Sequence, residues 1–154
     1  MDSPQLKLEN QICFPLYSVS RLITKAYKPY LDKLGLTYPQ YIVLLVLWEN
    51  DRLTVNQISQ KLLLNTNTLS PLLKRMEKLE LLQRKRSDED ERSVIIQISN
   101  KGKKLKAQAL PIPENLIKPL LTQNISMADV IQLKDMLNEW ILILMNSNKN
   151  NNKN

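Results

Sequence analysis

Leu53-Thr54-Val55-Asn56-Gln57-Ile58 and, a few residues on, Asn65-Thr66-Asn67-Thr68-Leu69-Ser70-Pro71-Leu72-Leu73-Lys74-Arg75-Met76 decide the fold. Thr54 followed by Gln57 is a capping box, in which each side chain satisfies the other residue's free backbone N–H at a helix start. Leu53 and Ile58 flank it as a hydrophobic staple. Val55, Ile58 and Leu62 then share one helical stripe, and this helix should end near Leu63. Asn65-Thr66-Asn67 are turn and N-cap residue types. Leu69, Leu72, Leu73, Met76 and Leu79 recur at helical spacing, with Asn67, Thr68, Ser70, Lys74, Arg75 and Lys78 on the other face. Proline is accepted only near a helix start, so Pro71 places that start at Thr66 or Asn67.

Two strands are expected next, Leu82-Gln83-Arg84-Lys85-Arg86 and Ser93-Val94-Ile95-Ile96-Gln97-Ile98, around the polar tip Ser87-Asp88-Glu89-Asp90-Glu91-Arg92. Arg84 and Arg86 alternate with Lys85 and so share one strand face. Helix, turn, basic helix and hairpin in this order predict a winged helix-turn-helix over about residues 53–99. Small polar groups on the first turn of its second helix suit base edges, Lys74, Arg75 and Lys78 suit phosphates or guanine, and an arginine at the tip suits a minor groove. A small domain with a basic solvated surface is the competing reading.

The bulk numbers agree with a polyanionic partner. The chain has 154 residues, 43% of them hydrophobic, and a net charge of +7. The sequence pI is about 9.5. No apolar run is long enough to span a bilayer and no signal peptide opens the chain, so no membrane partner and a cytoplasmic location are expected. Histidine is absent, and there are two glycines and one cysteine. That removes histidine-based catalysis, most zinc sites, glycine-rich phosphate loops and internal disulfides. The chain is therefore expected to be no enzyme and to carry no cofactor or metal.

Around the winged unit, residues 7–34 read as one long helix with interruptions and Gly35 as its stop: Pro15 should sit in its first turn, with the residues before it fraying or forming a separate turn, and Pro29 should kink it. Thr37-Tyr38-Pro39-Gln40 is a second capping box, opening a helix that is apolar nearly all round. Ser99 or Asn100 starts a lysine-rich helix broken by Pro111, Pro113 and Pro119. Ser126-Met127-Ala128-Asp129 caps a last helix bearing Val130, Leu133, Leu137, Trp140, Ile141 and Leu144. The fold class is thus mainly α with a small β-hairpin: a single domain over 1–145, with dimerisation helices at about 8–34 and 100–145. An Asn/Lys tail at 146–154 should be disordered. The apolar terminal helices predict a two-fold homodimer presenting two recognition helices to two DNA half-sites.

Cys13 sits near the start of the first long helix, and Tyr17, Tyr27, Tyr30, Tyr38 and Tyr41 lie in the helical regions that could surround it. Helix N-termini favour thiolates, yet cysteine is as often a small core hydrophobe, and position alone favours packing over sensing.

Leu8-Glu9-Asn10-Gln11-Ile12-Cys13-Phe14, Tyr27-Lys28-Pro29-Tyr30-Leu31-Asp32-Lys33-Leu34 and Leu36-Thr37-Tyr38-Pro39-Gln40-Tyr41 resemble the organic hydroperoxide resistance regulators, the thiol-sensing branch of the MarR family of repressors. Leu69-Ser70-Pro71-Leu72-Leu73-Lys74-Arg75-Met76-Glu77 and Arg84 through Val94 are similar to that family's recognition helix and wing. The resemblance covers about residues 7–114. It implies a homodimeric repressor on a double-stranded, pseudo-palindromic operator, released when an organic hydroperoxide oxidises Cys13. It implies Tyr27 and Tyr38 reaching Cys13 from the partner subunit, Tyr17 as a further pocket residue, Arg92 in the minor groove oriented by Asp90, and Arg84 on the DNA backbone. On its account the sensing role for Cys13 takes precedence over packing. Three features depart from the family: Asn65-Thr66-Asn67 stands where Asp-Ser-Gly is common, Pro15 follows the cysteine closely, and no second cysteine exists. The last leaves a one-cysteine mechanism, in which the oxidised sulfur is taken up by a low-molecular-weight thiol or is oxidised further. The alternatives are a repressor of the same fold gated by a small aromatic ligand, and a thiol peroxidase.

Overall fold

The computed structural model describes residues 3–87 and 93–151, with side chains through Ser147. Two compact units emerge, 1–112 and 113–154, where the sequence pattern predicts one domain over 1–145.

The first unit begins with two short 3-10 turns, Pro4–Leu6 and Leu8–Asn10, before helix α1, Cys13–Lys33. The first long helix therefore starts at Cys13, with separate turns before it, as the position of Pro15 predicts. Pro15 explains why: it lies in the first turn, where its missing N–H has no helical partner to lose. Pro29 stays inside α1. Helix α2, Tyr38–Glu49, starts at Thr37, whose backbone N–H donates to Gln40 Oε1 at 2.8 Å. Its Tyr41, Val43, Leu44, Val46 and Leu47 are all buried.

Strand β1 is the pair Leu53–Thr54, and helix α3 runs Val55–Leu62. The capping box at Thr54 is complete: Gln57 N–H donates to Thr54 Oγ1 at 3.1 Å, and Thr54 N–H donates to Gln57 Oε1 at 2.8 Å. Leu63 ends α3 in the left-handed region at φ 54°. The turn is closed by Ser59, whose hydroxyl donates to the Leu64 carbonyl at 2.5 Å and whose carbonyl accepts the Leu64 N–H. Helix α4, Thr66–Lys78, starts where Pro71 requires. Strands β2, Leu82–Arg86, and β3, Val94–Ile98, pair antiparallel with Arg84 opposite Ile96. The sheet has three strands in the order β1-β3-β2, one more than the expected hairpin. Two residues of β1 are too few to carry a strand pattern, and Thr54 doubles as a helix cap.

Helix α5, Asn100–Ala109, is capped by Ser99, whose Oγ accepts the Gly102 N–H at 3.0 Å. Its lysines are largely committed to the fold. Lys101 Nζ donates to the Leu79 carbonyl at 2.9 Å and Lys106 Nζ to the Trp48 carbonyl at 3.2 Å. These are the last carbonyls of α4 and α2, where a cation also meets the negative end of the helix dipole. Lys103 lies 3.6 Å from Asp51.

In the second unit, helix α6 covers Ile112–Ile117, a 3-10 turn covers Lys118–Leu120, and helix α7 covers Met127–Asn151. Ser126 N–H donates to Asp129 Oδ2 at 2.7 Å, and the Asp129 N–H returns to Ser126 Oγ at 3.3 Å. These Ser126 hydrogen bonds hold the Asp129 carboxyl below the usual carboxylate range. The helix continues through Asn151, past Asn146, where composition predicts that disorder begins. Elongating an existing helix needs little from each added residue, so a weakly helical Asn/Lys sequence can follow a strong one. Among the described residues no helix is long and apolar enough to cross a membrane.

Gly102 marks the closest packing in the first unit. A Cβ there would fall inside contact distance of the Leu81 carbonyl oxygen and 2.8 Å from Ile98 Cγ1. Its own carbonyl accepts the Trp48 indole N–H at 3.0 Å. Gly102→Ala should therefore destabilise the chain by about 1–3 kcal/mol, the usual cost of overpacking, read as a lower urea midpoint at unchanged slope.

Candidate nucleic-acid interface and thiol site

Helix α4 divides cleanly by burial. Leu69, Leu72, Leu73 and Met76 are buried, whereas Asn67, Thr68, Lys74, Arg75 and Lys78 are exposed and Ser70 is half-buried. Asn65 is the N-cap but makes no side-chain cap bond. Pro71 supplies no N–H, so the Asn67 carbonyl lacks the i+4 donor of a regular helix. The exposed first turn therefore offers polar side chains and a backbone acceptor, with three cations one and two turns further on.

On the wing, Lys85 and Arg86 are exposed and Arg84 is half-buried. Arg84 behaves differently from its neighbours: its backbone N–H donates to Glu77 Oε1 at 3.0 Å, and its Nη1 lies 3.8 Å from Glu77 Oε2. The strand ends are tied by Ser87 N–H donating to the Ser93 carbonyl at 2.9 Å. Asp90 and Arg92, together with Asp88, Glu89 and Glu91, lie outside the described residues.

Cys13 is the first residue of α1 and is exposed in the single chain. Tyr17, one turn on, is also exposed; its hydroxyl oxygen accepts from Arg21 Nη1 at 3.1 Å, with the guanidinium 5.4 Å from the ring centroid. Tyr27 and Tyr38 meet within one chain, their ring centroids 5.1 Å apart. Cys13 does not join them. Fourteen residues of helix separate it from Tyr27, about 21 Å of rise. Tyr41, which the family resemblance gives no pocket role, forms the floor of the pair, with centroids 5.6 Å from Tyr27 and 6.3 Å from Tyr38. Burial, then Tyr41 and Tyr38, push the Tyr27 phenol up to about 12. Burial and then Tyr38 raise Tyr41 as well.

Beside Tyr38 runs an open groove of about 510 Å³, with Leu31 and Leu36 among its lining residues and Arg21, Lys25 and Lys28 contributing cations. Lys28 is paired with Asp32 at 2.7 Å. Among the described residues no cluster of acidic, cysteine or histidine side chains could hold a metal.

A helix-turn-helix with an attached β-wing, a polar and basic recognition face and an exposed thiol together define a winged-helix transcription regulator. The sequence profile of the SarA/Rot transcriptional regulators matches residues 25–109. The organic hydroperoxide resistance transcriptional regulator of Bacillus subtilis (strain 168) is 54% identical over 112 residues, covering 73% of this chain and 76% of that protein. The structure of reduced AbfR bound to DNA is 35% identical with a TM-score of 0.75, covering 94% of this chain and 99% of that one. Overoxidised AbfR bound to DNA is 33% identical with a TM-score of 0.70, covering 90% and 99%. The chain belongs to the SarA/Rot regulators of the MarR group, in the organic hydroperoxide resistance branch.

The Tyr27 shift carries a pH signature. The folded chain holds this proton more tightly than the unfolded chain does. The resulting stability is intact below pH 10.0 and is lost as pH rises toward about 12. The difference in urea stability between wild type and Tyr27→Phe should change across that interval, in the direction of a weakening wild type.

Proposed function

We propose that this chain is a redox-sensing DNA-binding repressor whose reduced dimer occupies a pseudo-palindromic operator and leaves it when an organic hydroperoxide oxidises Cys13. The observation that carries the reading is the exposed Cys13 at the first position of α1, in the same chain as a complete winged unit. The Cys13 thiolate attacks one peroxide oxygen, the O–O bond breaks, the alcohol departs and the sulfur becomes a sulfenic acid. A low-molecular-weight thiol then condenses with it, forming a mixed disulfide and water. This chain has no second cysteine of its own to do so. AbfR in its overoxidised form is still DNA-bound, which favours the thiol-capped disulfide over higher oxides as the releasing state here.

On the family resemblance Tyr27 and Tyr38 serve the Cys13 of the partner subunit, and the separation of about 21 Å between Cys13 and Tyr27 along one helix is in keeping with it. The exposed Val19 and Leu22 of α1, and Leu133, Trp140, Ile141 and Leu144 of α7, supply apolar surface for the dimer. Asn67, Thr68 and Ser70 face base edges. Lys74, Arg75 and Arg86 hold phosphates or guanine, and Asp90 orients Arg92 in the minor groove. Moving the operator from nearly full to nearly empty requires the two redox states to differ by about 5.5 kcal/mol in DNA binding. The groove beside Tyr38, with its cationic side chains, favours a second reading: gating by a small aromatic acid, with Cys13 uninvolved.

Fluorescence anisotropy on DNA from the protein's own upstream region separates the two. Cumene hydroperoxide with a small thiol should release wild type and leave Cys13→Ser bound. Equal release of both would refute the thiol mechanism, and release of Cys13→Ser by an aromatic acid would install the second reading.

A further inference from the structure

We propose that Glu77 and Arg84 form a latch fixing the wing against the recognition helix, so that Arg84 acts on DNA through the wing's position and not by holding a phosphate. The inference rests on the DNA-binding reading above. Strand β2 is an edge strand of the sheet, and edge strands carry backbone N–H groups with no strand to receive them. The Arg84 N–H is one of these, and Glu77, in the last turn of α4, takes it at 3.0 Å. The other oxygen of the same carboxylate lies 3.8 Å from Arg84 Nη1. One side chain of the recognition helix thus grips both the backbone and the charge of the wing's outer strand.

Burial distinguishes Arg84 from a phosphate-seeking arginine. Its side chain is 22% exposed, and its Nε is buried without a hydrogen-bond partner. The desolvated Nε is a cost of this position, and what offsets it is the hold of Glu77 on the same residue and the place of Arg84 opposite fully buried Ile96. Swinging Arg84 out to a phosphate would leave the Glu77 carboxylate with the Arg84 N–H alone, its charge unmatched and close to polyanionic DNA. Lys85 and Arg86 are exposed and carry no such obligation. A winged unit binds only when helix and wing enter their grooves together. A small rotation of β2 at Arg84 grows along the strand, so the latch sets how well the two grooves are met at once.

The test is the salt dependence of binding to the protein's own operator, and to unrelated DNA of equal length, for wild type, Arg84→Met, Glu77→Gln, the double variant and Arg86→Gln. Arg84→Met keeps the stem. Glu77→Gln keeps an amide oxygen for the Arg84 N–H and guards against misfolding of the first variant. Each should lower the operator-to-unrelated affinity ratio by about tenfold, and the double variant should be no worse than the worse single one. The slope of log affinity against log salt should match wild type for Arg84→Met. For Arg86→Gln, it should fall by about 0.9 for each phosphate that is no longer neutralised. A comparable fall for Arg84→Met, or an unchanged ratio for Glu77→Gln, overturns the latch. Failure of wild type to prefer its operator strikes instead at the DNA-binding reading.

Discussion

Helix α2 is apolar on every side, and that single constraint arranges the first unit. A helix with no polar face must be enclosed, and α1, α3, α4, α5 and β3 all pack against it. Its buried polar side chain, Gln40, is satisfied by capping the helix's own start. At the other end Trp48 extends the connection outward, giving its indole N–H to Gly102 and its carbonyl to Lys106. The recognition helix and the thiol-bearing helix are thus both laid on one rigid post. Neither can tilt without disturbing a close-packed interior that admits few intermediate arrangements.

The electrostatics are less generous than the net charge suggests. A charge of +7 reads at first as a broad basic surface. Yet Lys101 and Lys106 close the ends of two helices, Lys103 faces Asp51, and Arg84 faces Glu77. Among the described residues, the exposed charge left to the winged unit is concentrated at Lys74, Arg75, Lys78, Lys85 and Arg86. Ser99 and Lys101, at the start of α5, hold the turn after α4 in register. Lys101 bonds Leu79, Ser99 Oγ bonds Glu80, and the Ser99 N–H bonds Leu81. Glu80 sits in that turn at φ 60°, a conformation that side chains resist and that these contacts sustain.

Most of the winged unit is legible in the sequence because its signals are local. A capping box, a proline and a periodic stripe each speak within four residues, and they locate α3 and α4 closely. Contacts between distant residues leave no such mark. Glu77 and Arg84 are seven apart across a turn, and Lys106 and Trp48 are fifty-eight apart. Tyr41 is hidden as a site residue because an aromatic in an all-apolar helix reads as core. It is core, while also forming the floor beneath Tyr27 and Tyr38.

The thiol site poses a different problem from the DNA face. Every element of the DNA face lies on one chain, so one sequence and one chain suffice to describe it. Cys13 and the tyrosine pair lie on one chain too, but Cys13 opens α1 while Tyr27, which meets Tyr38 of α2, lies fourteen residues along it, and no folding of a straight helix can bring Cys13 and Tyr27 together. If the tyrosines read the oxidation state of a cysteine, that cysteine belongs to another copy, and the signal crosses the dimer interface before it reaches DNA. Tyr27 and Tyr38 stand on Tyr41, Tyr41 packs edge-on against Trp48 at 6.3 Å, and Trp48 is bonded to α5. Those contacts make a continuous packed connection from the tyrosines to the helix that holds the end of α4. An altered group pressed on the tyrosines would therefore meet the α2 post itself, and a close-packed post yields as a unit.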